Sequence, residues 1–167
     1  MNAISEMPPK HKSVLLAFVL IAQAVGAAAS VVTVPAVANW FPDLVKPSFN
    51  SPDWLFAPVW VALYLLMAVA AWRVWRVRGL QSAPLVLYGI QLALNFAWSF
   101  IFFGAHRLGL ALAEIALLWI FIVATAIAFW RVDRLAGAML LPYVAWVSFA
   151  VLLNDAIWSL NGAPPIF

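Results

Sequence analysis

The 167-residue chain is 67% hydrophobic and only 9% charged, against roughly 45–50% and about 25% in soluble domains. With a mean hydropathy of +1.03, it has too little charge to coat a water-facing surface of its size, which excludes an ordinary soluble domain. The formal charge of +3 comes from scattered Lys and Arg with no basic stripe for nucleic acid, and the absence of Cys excludes disulfides, Cys-zinc sites, iron–sulfur clusters and thiol chemistry.

Taken in order, residues 1–12 form an N-terminal tail ending in Lys10, His11 and Lys12. The first apolar stretch covers roughly 13–34, close to the ~20 residues that cross a hydrocarbon core. Ala27-Ala28-Ala29-Ser30 resembles a signal-peptide cleavage site, but apolar character continues from Val31 to Ala38, so the stretch reads as a retained helix. Residues 39–53, NWFPDLVKPSFNSPD, carry three Pro and no helical period. They are expected to form a long structured loop, the one linker with room for a lid. Further spans follow at roughly 55–75, 84–104, 109–130 and 135–158, and residues 161–167 form a C-terminal tail.

Helices satisfy their own backbone hydrogen bonds in lipid, and no ~10-residue alternating segments suggest a barrel. The expected fold class is therefore an all-α membrane protein: a bundle of five transmembrane helices over residues 13–160, with a long loop between helices 1 and 2. Short linkers at 76–84, 104–109 and 130–136 make sequence neighbours antiparallel. Lys10, Lys12, Arg73, Arg76, Arg78, Arg131 and Arg134 then share the side of the N-terminus, with Lys46 and Arg107 opposite. This bias predicts the N-terminus inside and the C-terminus outside.

Polar residues inside spans are costly and form the functional shortlist. At ~1.5 Å per helical residue, Trp60 and Tyr64 lie roughly 9 and 15 Å below the outer surface, and Trp98 and Asn95 about 9 and 14 Å. Glu114 lies about 8 Å deep, Asn154 and Asp155 about 5–6 Å, and Trp146 about 18 Å. Aromatic and polar groups from four helices thus gather beneath the long loop, which carries Trp40 and Phe49 above them. The pattern describes a cup opening outward. The inner half offers little comparable beyond Gln91 and Thr125. Trp54, Trp72, Trp75, Trp130 and Trp158 suit an interfacial belt. Asn95 and Asn154 serve equally well as interhelical bridges, Glu114 suits a structural role, and the row Ala22, Gly26, Ser30 signals close helix packing.

Catalytic constellations are mostly missing, and two shallow acids, Asp155 and Glu114, are weak evidence for acid–base work. His11 lies in the tail and His106 in a short linker, so no His pair binds a metal inside the bundle. There is no Ser–His–Asp set, P-loop or dinucleotide fingerprint, and a haem would find only His106 as an axial ligand. What remains is an aromatic pocket with amide and carboxyl anchors, suited to a flat or bulky apolar molecule. No metal and no obligatory cofactor is expected.

Three stretches carry a family resemblance: KPSFNSPDWLFAPVWVALYLLMA at 46–68, YGIQLALNFAWSFIFFG at 88–104 and LPYVAWVSFAVLLNDAIWSLN at 141–161. Over residues 14–160 the chain resembles the TspO/MBR family of bacterial tryptophan-rich sensory proteins, related to the mitochondrial translocator protein (the peripheral benzodiazepine receptor). Ser51, where the family usually has a second Pro, and Ser99, where some members have Pro, are departures. The resemblance implies a multi-pass protein of the bacterial cell membrane that binds protoporphyrin IX, haem, sterols such as cholesterol, and benzodiazepine-type and isoquinoline ligands. By motif it implies Trp54, Gln91, Asn95, Trp98, Trp146, Ala150 and Asn154 as pocket positions, beside Tyr64 and Phe49 from the depth argument. It implicates Trp40 and Trp146 in porphyrin degradation, and implies a homodimer with small residues at its interface. The cholesterol-recognition pattern associated with the fifth helix of animal relatives is absent, since no basic residue follows Tyr143.

Two functions follow as expectations. The first is a membrane receptor, sensor or carrier with porphyrin or haem as its ligand. The second is light- and oxygen-dependent porphyrin degradation through Trp40 and Trp146. A purely structural subunit has no reason to gather amides and indoles at one depth.

Overall fold

The computed structural model describes residues 8–162. Its helices are α1 (Pro9–Asn39), α2 (Asp53–Arg78), α3 (Ala83–Ser99), α4 (Leu108–Val132), α5 (Arg134–Ala138) and α6 (Leu141–Leu160), with no strand among the described residues. Among the described residues, five stretches are long and apolar enough to cross a membrane: Lys10–Asn39, Trp54–Arg78, Ala83–Gly104, Leu108–Val132 and Arg134–Leu160. The chain is a multi-pass, all-α integral membrane protein.

Helix α1 outruns the apolar stretch at both ends. It opens on Pro9 in its first turn, where a missing N–H leaves no bond unmade, and it passes through Pro35. Around that interruption the side chains of Thr33 and Asn39 bond to the carbonyls of Ala29 (3.0 Å) and Pro35 (2.9 Å). Residues 40–52 join α1 to α2 and hold one 3-10 turn, Phe41–Asp43.

The fifth span is two helices, not the single one the hydropathy suggests. Asp133 starts α5 by accepting the N–H groups of Leu135 (2.9 Å) and Ala136 (3.2 Å). The chain then doubles back tightly enough that a Cβ at Gly137 would lie 2.7 Å from the Trp130 backbone. Only glycine fits there.

Contacts close the bundle in the order α1, α2, α5–α6, α4, α3. Near the N-terminal end α2 is surrounded, with Met67, Ala68, Ala70, Ala71 and Val74 fully buried. Lipid supplies no hydrophobic drive between helices, so small residues that permit close approach matter most. Ala22 and Gly26 of α1 act in this way; a Cβ on Gly26 would sit 2.6 Å from the Tyr64 ring. Trp72 is no belt residue: it is buried against α1, and its indole donates to the His11 carbonyl at 3.1 Å.

The same end carries an ion pair, Arg73–Asp133 at 2.7 Å. Burial alone would raise the Asp133 carboxyl pKa. The bonds from the Ala136 N–H, Arg73 and the Leu135 N–H, together with the Arg73 charge, outweigh it and hold the carboxyl below its usual value. A depressed folded-state value stabilises fully above the unfolded pKa of about 3.9, and the gain is lost as pH falls through the folded value. Asp133→Ala is expected to cost about 1 kcal/mol at neutral pH through the lost cap. In thermal unfolding in detergent, the gap from wild type should shrink below about pH 4.

Candidate functional site

At the end of the bundle where residues 40–52 lie, α1 and α2 enclose with α3 a cavity of about 580 Å³. That is within the ~300–1,000 Å³ of small-molecule sites. Helix α1 lines it with small and hydroxyl residues (Gly26, Ala29, Ser30, Thr33), α2 with Phe56, Trp60 and Tyr64, and α3 with Asn95 and Trp98. A second space of about 20 Å³ is lined by Phe41 of the connecting loop and by Trp146, Phe149, Ala150, Leu153 and Asn154 of α6. Phe56, Trp98 and Phe103 line both, so these three rings form a partition between one roomy and one nearly filled compartment.

The partition depends on a local irregularity. After Ser99 the third span widens into a π-helical turn, Phe100–Gly104, in which Ala105 N–H reaches the Phe100 carbonyl at 2.7 Å. At ~100° per residue, positions 98 and 103 of an α-helix would be roughly 140° apart. The wider turn narrows that angle and turns Phe102 and Phe103 inward together. Their ring centroids lie 5.0 and 5.7 Å from Trp98 and 4.8 Å from one another.

Behind the large cavity runs a buried polar chain across three helices. Tyr64 O–H donates to Asn95 Oδ1, Asn95 Nδ2 donates to the Tyr143 hydroxyl (2.9 Å), and Tyr143 donates to Gln91 Oε1 (3.0 Å). Asn95 is 4% exposed and Gln91 1%. Such groups are tolerated in a membrane interior because each has a partner. Asn154 makes a similar bridge, accepting from the Trp98 indole at 3.3 Å and donating to the Leu108 carbonyl at 3.0 Å. Glu114 differs. Both its oxygens are shielded without a hydrogen-bond partner, and it lines neither cavity.

The connecting loop is fastened to α6. Asn161 accepts the Val45 N–H at 3.0 Å and donates to the Val45 carbonyl at 2.9 Å and to the Ile157 carbonyl at 2.7 Å. Phe41 of the loop is buried, and Phe49 meets Phe149 edge-on at 6.3 Å.

The candidate residues fall into separate places. Tyr64, Asn95 and Trp98 line the large cavity, and Trp98, Trp146, Ala150 and Asn154 line the small one. Gln91 stands one bond behind, through Tyr143. Trp54 is 73% exposed on the first turn of α2. Trp40 stacks on His106 at 4.0 Å and lines neither space, so Trp40 and Trp146 share no cavity. Phe56, Phe103 and Tyr143 complete the site, while Asn161 fastens the loop to α6 and lines neither compartment; none of the four was among the candidates. Tyr143 did carry a signal, as a polar group deep in a span; Phe103 and Asn161 act through a π turn and a long-range contact that spacing does not reveal.

These features define a membrane-embedded helical bundle that keeps an aromatic, amide-backed cavity at one end. The TspO/MBR family profile matches residues 18–159, and the chain belongs to that family. It is 48% identical over 143 residues to the tryptophan-rich protein TspO of Chlorobaculum tepidum, covering 83% of this chain and 89% of that one. It is similar to protein CrtK of Rhodobacter capsulatus, at 43% identity over 131 residues (76% and 82% covered). The human translocator protein is 41% identical over 127 residues, covering 74% of this chain and 75% of that one.

Proposed function

We propose that this protein is a membrane receptor or carrier that binds tetrapyrroles, protoporphyrin and haem alike, in the cavity between α1, α2 and α3. The observation that carries this reading is the cavity of about 580 Å³. Its Phe56, Trp60 and Trp98 rings offer faces to a flat macrocycle, while Ser30, Thr33 and Asn95 supply hydrogen-bonding edges. Aromatic contacts of this kind contribute about 0.5–1.5 kcal/mol each beyond burial. Sterols and benzodiazepine-type or isoquinoline ligands suit the same apolar walls. The name of one relative, translocator protein, fits transport, and the family's description as sensory proteins fits sensing. In the membrane the N-terminus lies inside, following the basic residues, and a homodimer is the assembly the family resemblance suggests.

Recognition here runs through ring faces and edges, without metal ligation, because His106 is exposed and stacked on Trp40 away from both cavities. Titration of the detergent-solubilised protein with metal-free protoporphyrin and with haem tests this. Affinities within a few-fold of each other, both unchanged in His106→Ala, are expected. Loss of haem binding alone in that variant would restore an axial ligand, and no binding of either would end the reading.

A further inference from the structure

We propose that the ligand enters sideways from the bilayer, between α1 and α2, and not from beneath the loop. The proposal rests on the tetrapyrrole reading and adds a route to it. Its first ground is who lines the cavity. Ala27, Ser30 and Val34 of α1 and Ala57 and Val61 of α2 face it, and all five are exposed despite lining it. They belong to membrane spans, so the surface they share with the cavity is a lipid-facing one. Three of the five are Ala or Ser, leaving a low sill.

The second ground is where the two helices are tied. Gln23 Nε2 donates to the Val61 carbonyl at 3.1 Å, and Gly26 lies against the Tyr64 ring. These ties sit at the deep end of the cavity, and the α1 wall continues from there toward Val37 and Ala38 with Phe56 and Ala57 across from it.

The third ground is the loop. No residue from 40 to 52 lines the large cavity. Asn161 draws the loop to α6 with its bonds to Val45, and there Phe41 covers the small aromatic compartment instead. A largely apolar macrocycle dissolves in lipid far better than in water. Passage over the sill lets it stay out of water throughout, and Ser30 and Thr33 offer its first polar contacts.

The chain has no Cys of its own, so Val45→Cys/Asn161→Cys places the only thiols and allows the loop to be locked to α6 by oxidation. The protein is reconstituted in vesicles, metal-free protoporphyrin is added in the lipid phase, and the association rate is followed by stopped-flow fluorescence. Oxidised and reduced protein are expected to associate at rates within about twofold, while Ala27→Trp/Ala57→Trp, helical by circular dichroism, slows association at least tenfold. A locked protein that associates tenfold more slowly, or a Trp-filled sill that changes nothing, would overturn the proposal. If the disulfide does not close, Asn161→Ala decides the same point: an unchanged rate supports the lateral route, and a tenfold acceleration makes the loop the gate. Failure of the two readings is distinguishable. If wild type binds no protoporphyrin, the tetrapyrrole reading falls and the route with it; if binding persists but follows the state of the loop, only the route falls.

Discussion

Trp98→Ala is expected to weaken protoporphyrin binding by about 30-fold or more, equivalent to about 2 kcal/mol. Trp98 lines both compartments, and its ring is held at 5.0 Å from Phe102 and 5.7 Å from Phe103. Removing it takes away the central stacking face and breaches the partition, so the ligand loses both a contact and a fixed wall. Stability should fall too, by about 2–4 kcal/mol, somewhat less than a fully buried Trp→Ala because the side chain is half-buried. Trp98→Phe is the informative partner. It keeps a ring and gives up only the 3.3 Å bond to Asn154, so affinity should stay within about threefold of wild type. An Ala variant that binds as wild type does would place the ligand away from this wall.

Asn95→Leu should destabilise the bundle by about 2 kcal/mol. Interhelical hydrogen bonds in membranes contribute about 0.6 kcal/mol on average and roughly 1.7 at most, and this change removes two at once. It also strands the hydroxyl of Tyr64, buried on α2, while Tyr143 keeps Gln91 as its acceptor; an unpaired buried group costs about 1–3 kcal/mol. Leu is close to Asn in size, so lost packing contributes little and the polar chain itself is what the substitution reads. Tyr143→Phe should cost a similar amount, since it too removes two bonds and leaves Asn95 Nδ2 and Gln91 Oε1 without their shared partner. Unfolding of purified variants by denaturing detergent measures both. Equal stability of Asn95→Leu and wild type would show the chain to be energetically idle.

Depth along a span is legible from sequence, and azimuth is not. Counting residues brings Tyr64 and Asn95 to nearly the same level, and they are hydrogen-bonded across α2 and α3. The same count separates Gln91 from that level, yet Tyr143 links it to Asn95 because a tyrosine side chain spans the gap. Trp54 and Trp40 lie at suitable heights but point elsewhere, one to the outside and one onto His106. His106 takes a φ of 57°, in the left-handed region that favours glycine, and no hydropathy pattern signals such a turn. The role of α1 as a cavity wall was half legible. The row Ala22, Gly26, Ser30 marks close packing, and Ala22 and Gly26 do pack closely, while Ser30 lines the cavity instead. The break at 139–140 carried local signals in Asp133 and Gly137, but an unbroken apolar run masks them.

The most direct test of the central claim, that the cavity between α1, α2 and α3 holds the tetrapyrrole, is equilibrium binding of metal-free protoporphyrin to a cavity-filled protein. Thr33 lines the cavity from α1, and Thr33→Trp would occupy much of the space without touching the polar chain. Leu152→Trp is the control, on an exposed face of α6 that lines neither compartment. The expected result is at least a tenfold loss of affinity in Thr33→Trp, with helicity intact, and wild-type affinity in Leu152→Trp. Wild-type affinity in a folded Thr33→Trp protein would contradict it and put the ligand elsewhere.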